Sequence, residues 1–124
     1  MPRFVPSLFL AGLAFSLSLG AAEPMVVDVK LDSYSFKPDK ITVKAGQPVT
    51  LKLVNEATFI PHNLVIRSPE AGIEIKLDLS AGKSGEVSFT PTKAGTYEMI
   101  CDKTPPIGKS HKEKGMHGTL IVEQ

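Results

Sequence analysis

The chain reads as an all-β protein, a sandwich or barrel of short strands. Three observations carry that reading. Apolar and polar residues alternate at period two, turn residues punctuate the alternation at short intervals, and no long amphipathic helical stretch follows residue 22. Val27, Val29 and Leu31 share one face while Asp28 and Lys30 take the other, as in a half-buried strand. Ile41 and Val43 then alternate with Thr42 and Lys44, and Val49, Leu51 and Leu53 with Thr50 and Lys52. Leu64 and Ile66 mark the next strand. Ile73, Ile75, Leu77 and Leu79 alternate with Glu74, Lys76 and Asp78. Val87 with Phe89, Tyr97 with Met99, and Leu120 with Val122 complete the set. The breaks fall at Lys37-Pro38-Asp39, Ala45-Gly46-Gln47-Pro48, Ser80-Ala81-Gly82, Thr90-Pro91 and Ala94-Gly95, all turn-forming combinations.

Residues 1–22 stand apart. Arg3 gives a positive start, Leu8 to Leu19 is almost wholly apolar, and Gly20-Ala21-Ala22 offers small residues for cleavage. This is the pattern of a secretory signal peptide, too short for a membrane span and interrupted by Pro6. A lipid anchor would need a cysteine at the cleavage point, and the only cysteine is Cys101. The expected product is a soluble, periplasmic, monomeric protein of one domain, residues 23–124, with no membrane anchor. The chain has 14 Lys and Arg against 13 Asp and Glu, and losing Arg3 leaves 13 of each. A near-neutral domain lacks the basic excess of a nucleic-acid binder.

The chemistry gathers near the C-terminus. Cys101, His111 and Met116 lie on one stretch, and an isolated His62 sits in Phe59-Ile60-Pro61-His62-Asn63-Leu64. Two imidazoles, a thiolate and a thioether are the ligand set of a mononuclear electron-transfer copper site. Each residue has a plainer reading when taken alone. Cys101 ends a strand and suits a buried free thiol, while His62 shares its face with Leu64 and Ile66 and suits a satisfied core histidine. Met116 leads into the last strand and suits the core, and His111 suits a surface loop. Their combination outweighs those readings. Asn63 is placed for its amide to bond the loop after Cys101 and support the site. His117 competes with Met116 or His111, although alternation from Leu120 turns it away from the core. The loop from Asp102 to Gly115 is long for so small a domain, which marks it as functional or mobile.

At these residues the chain resembles the cupredoxins, the family of plastocyanin, pseudoazurin and azurin. Four blocks carry the resemblance: residues 36–46, Pro61-His62-Asn63, Ala94-Gly95-Thr96-Tyr97 running up to Cys101, and Gly115-Met116-His117-Gly118 running into Val122. The resemblance implies a Greek-key β-sandwich of about eight strands with one type 1 copper at one end. It makes His62, Cys101 and His111 the equatorial ligands and Met116 the axial one. Two departures stand out. Plastocyanin-like members usually place the second histidine three residues after the cysteine, whereas His111 follows Cys101 by ten. Asp102 also occupies a position where a small polar residue is commoner, and a carboxylate beside the thiolate would favour Cu(II).

The resemblance implies a blue-copper electron carrier cycling Cu(II)/Cu(I), not an enzyme. The enzymes of this superfamily need a second copper centre whose histidines adjoin the cysteine; here the neighbours are Ile100 and Asp102. A copper-tolerance or copper-delivery protein is the alternative, without the Met- and His-rich tracts such proteins often carry. Zinc is a minor third reading, since a thioether is a poor zinc ligand. Redox-protein donor and acceptor are expected to dock where His111 emerges, beside Lys103, Lys109, Lys112 and Lys114 of the 102–115 loop.

Overall fold

The computed structural model describes Pro2 and residues 23–124, so the leader expected over 1–22 lies, Pro2 aside, outside the described residues. Nine strands follow in order: β1 (Met25–Asp32), β2 (Ser35–Lys37), β3 (Lys40–Lys44), β4 (Val49–Asn55), β5 (His62–Ser68), β6 (Ile73–Leu79), β7 (Ser84–Phe89), β8 (Gly95–Ile100) and β9 (His117–Glu123). The strand beyond the expected eight is β2. Three residues are too few to show a period, and pairing of Leu31 with Phe36 across the turn defines it. The other eight fall on the alternating runs.

Two sheets face each other, ordered β2-β1-β4-β7 and β3-β9-β8-β5-β6. The chain passes repeatedly from one sheet to the other, which is why β1 with β4 and β3 with β9 pair in parallel. The result is a Greek-key sandwich. Between the sheets Val29, Leu31, Leu51, Leu53, Leu64, Ile66, Ile73, Met99 and Leu120 are fully or almost fully buried. Each large aliphatic side chain removed from water in this way contributes about 1.5–3 kcal/mol.

Alternation fails on β5, where every residue from His62 to Ile66 is buried. This strand lies between β8 and β6, and the stretch after Cys101 covers its outer face at Asn63. The neighbours β5, β8 and β9 also present ends to one another. His62 opens β5, Cys101 directly follows β8, and Met116 directly precedes β9. Sheet order alone therefore brings three chemically distinctive residues to one end of the sandwich.

Gly118 keeps that end closed. It pairs with Met99, and a Cβ built on it would collide with the Asp39 backbone carbonyl and press on the Met99 methyl at 3.1 Å. The Asp39 carbonyl accepts the Thr119 N–H at 2.8 Å, so it has no freedom to retreat. Gly118→Ala should destabilise the fold by roughly 1–3 kcal/mol, the usual penalty of overpacking. An unchanged urea midpoint would refute that close approach.

Candidate metal centre

The loop between β8 and β9 is shaped by its own backbone. Residues His111–Gly115 make a compact turn in which the Lys114 N–H reaches the Ser110 and His111 carbonyls. The Met116 N–H donates back to the His111 carbonyl at 3.0 Å. Gly115 sits at φ +109°, a conformation open to glycine and costly for other residues. That turn explains the five-residue step from His111 to Met116: both ends of it return to the same place. The Cys101 N–H completes the closure by donating to the Met116 carbonyl at 3.2 Å.

Three donor atoms converge there. His62 Nδ1 and His111 Nδ1 are 3.2 Å apart, and Cys101 Sγ lies 3.5 Å from His111 Nδ1. All three potential ligand atoms lie within 4.8 Å of one another, and each residue is buried. Met116 is fully buried in the same core cluster as Cys101. His62 Nε2 has no hydrogen-bond partner among the described residues, so the polar contacts of that ring run through Nδ1. His117 opens β9 with its side chain exposed, outside this group.

Charge in this space is scarce and costly. Burial lowers the His62 pKa to about 4, with His111 acting in the same direction and Asp32 opposing. His111 is also lowered, by burial first and then by Lys114 and Lys103. Burial pushes the Cys101 thiol up, against the peptide N–H groups of Asn63 and Lys103, which favour the thiolate. Two neutral imidazoles therefore face a thiol that needs a cation to hold it ionised. A soft, N/S-binding metal ion suits that donor set.

The same burial gives the metal-free protein a pH dependence. An unperturbed histidine titrates near roughly 6.5, so the unfolded chain takes up its proton before folded His62 does. The histidine contribution to stability is present above the unfolded value and is lost as pH falls toward about 4. Thermal unfolding of the metal-free protein should show Tm falling between pH 7 and 5, before most carboxylates titrate. A flat Tm over that interval would contradict the buried, neutral pair.

Asn63 links the site to its surroundings. Its N–H donates to Cys101 Sγ at 3.4 Å, its Oδ1 accepts the Asp102 N–H at 2.9 Å, and its Nδ2 donates to Asp102 Oδ1 at 2.6 Å. The amide thus bonds the loop after the cysteine, as the sequence suggests. Asp102 also faces Lys76 at 3.8 Å, so its charge does not act on the sulfur alone.

Tyr34 is the neighbour that sequence reading missed. Its ring lies 5.9 Å from that of His62, edge-on, and 5.0 Å from that of His111. Lys114 Nζ stands 4.5 Å over the same ring. Tyr34 sits in the turn between β1 and β2, where alternation gives no signal, and only the folding of that turn onto the far loop brings it here. His111 itself is 6% exposed, so it presents little free edge. A surface cavity of about 380 Å³ opens beside it, walled by Tyr34, Ile60, Pro61, Pro105, Pro106 and the loop lysines Lys103 and Lys114. The lysines are less free than the sequence suggests. Lys103 pairs with Asp78 at 2.9 Å and Lys112 with Glu98 at 2.7 Å.

Residues 5–122 match the model of the cupredoxin-like domain. The chain is 33% identical over 109 residues to plastocyanin of Scenedesmus fuscus, covering 78% of this chain and 99% of that protein. It is 32% identical over 95 residues to plastocyanin A/B of Petroselinum crispum, covering 70% and 86%. Among solved structures it superposes on auracyanin A of Chloroflexus aurantiacus, a "blue" copper protein, with a TM-score of 0.63 and 25% identity. That match covers 81% of this chain and 99% of auracyanin A. With the domain model matched over nearly the whole length and the sandwich in place, the chain belongs to the cupredoxin family.

Proposed function

We propose that the protein is a periplasmic blue-copper electron carrier, made with a cleaved leader over residues 1–22 and acting as a soluble monomer of residues 23–124. His62, Cys101 and His111 hold one copper ion, and Met116 supplies a weak fourth contact. The observation that carries this reading is the convergence of one ring nitrogen from each histidine and Sγ within 4.8 Å at a buried sheet end. Copper, when bound, supplies a one-electron Cu(II)/Cu(I) couple.

The remaining work belongs to the chain. The histidines are kept neutral by burial, so both can donate at neutral pH. Asn63 holds the cysteine loop in place, and the compact 111–115 turn fixes His111 relative to Met116. Such a rigid frame changes little when one electron arrives or leaves. No acid, base or substrate pocket is required, and Ile100 and Asp102 flank the cysteine in place of the histidines a second copper centre would need.

Donor and acceptor proteins dock over the cavity beside His111. Exposed Phe59 and Ile107 supply apolar contact, while Lys109, without an ion-pair partner among the described residues, adds positive charge to Lys114. Loading residues 23–124 with one equivalent of Cu(II) tests the whole reading. An intense blue or green thiolate-to-copper band with a narrow copper hyperfine pattern, bleached reversibly by reductant, is the expected result. A pale spectrum of ordinary nitrogen-bound Cu(II) would overturn it.

A further inference from the structure

Lys103 joins three contacts around the candidate metal centre. Its carbonyl accepts the His111 N–H at 2.9 Å, and its own N–H acts on the Cys101 sulfur beside that of Asn63. Its ammonium reaches across to β6, where Nζ lies 2.9 Å from Asp78 Oδ1. One residue thus joins the sulfur, the His111 segment and a strand outside the ligand loop.

Asp78 is the fixed end of this arrangement. It lies one pair in from the end of the β5–β6 pairing, directly opposite Asn63, on the edge strand β6, whose backbone is paired with β5. The Asn63 amide donates to the same Asp78 oxygen at 3.0 Å. Asp78 therefore holds both Asn63, whose N–H reaches the sulfur at 3.4 Å, and Lys103, whose N–H also favours the thiolate. The 102–110 stretch has no regular secondary structure of its own, so an external tie has something to restrain. Its period-two position on β6 marks Asp78 only as an outward-facing residue, and nothing in the sequence connects it to the site.

We propose that Asp78 is a positioning residue of the metal centre, setting through Lys103 and Asn63 how the peptide N–H groups face the thiolate. The proposal rests on the copper reading for its consequence, because hydrogen bonding around the cysteine sulfur tunes a type 1 copper potential. A thiolate that loses an N–H donor gives more charge to the oxidised metal and lowers the potential.

The pair is partly exposed, with the Lys103 side chain at 36% and that of Asp78 at 52%, so the strength of a surface ion pair is the right scale. The test compares Asp78→Asn and Lys103→Gln with Lys76→Gln, which removes a nearby positive charge without touching the tie. In the metal-free protein the residue-103 amide of both tie variants should exchange with solvent at least about twofold faster, and Lys76→Gln should leave it unchanged. In the copper-loaded protein the thiolate band should move in the same direction for both tie variants. A tie acting only through its electric field gives the opposite pattern: potentials shifting up for Asp78→Asn and down for Lys103→Gln, with the amide unmoved. That outcome, or an amide unmoved in both variants, would overturn the positioning role. The metal-free exchange decides the matter independently of copper, so a parent protein without a thiolate band would sink the proposed function and leave this test standing.

Discussion

Cys101→Ser is expected to abolish the intense visible band of the copper-loaded protein while leaving the fold intact. The band requires a thiolate as electron-rich donor, and a serine hydroxyl neither ionises at neutral pH nor matches sulfur's softness. Copper should still bind through the two imidazoles, 3.2 Å apart at their Nδ1 atoms, as a pale nitrogen-bound species. The fold should survive because the replacement is nearly isosteric and the Asn63 N–H, now 3.4 Å from Sγ, gives a buried oxygen a donor. Absorption of the stoichiometrically loaded variant decides the point. An undiminished band would mean that another group carries the charge transfer and that Cys101 is only a buried thiol.

His111→Ala should weaken copper binding by more than about a hundredfold, beyond what loss of a mere supporting contact costs. The ring is buried between Tyr34 and His62, with Nδ1 facing both His62 Nδ1 and the sulfur. Its removal opens a coordination position toward the cavity, so the spectrum should shift as well as the affinity. His117→Ala is the matched control. That imidazole is exposed at the start of β9, and its loss should change neither quantity measurably. Competition titration with a copper chelator separates the two cases. A large loss at His117 with none at His111 would move the ligand from one end of the turn to the other.

Much of the architecture was legible because burial in a two-sheet sandwich writes itself into period two. Eight alternating runs correspond to eight strands, and the Pro- and Gly-rich breaks lie between them. The ninth strand, β2, was not, since three residues carry no periodicity and its pairing with β1 is a tertiary fact. The candidate ligands stood out for a different reason. A chain with one cysteine and three histidines has few ways to assemble a soft metal site, and their order matched a known family.

The amino-acid sequence by itself determined the fold class, the candidate donor set and the family, because each depends on residue type and on spacing along the chain. It could not show which surroundings those donors would meet. Tyr34, packed against both imidazoles, and Asp78, tied to Lys103, come from β-strand neighbourhoods far away in sequence. The same holds for charge. Four loop lysines look like a free positive patch until Asp78 and Glu98 are seen to hold two of them. Contacts of this kind are made across sheets and between loops, where no local period records them. Only the packing of β5, β8 and β9 side by side, with the 102–115 loop folded over their ends, decided them.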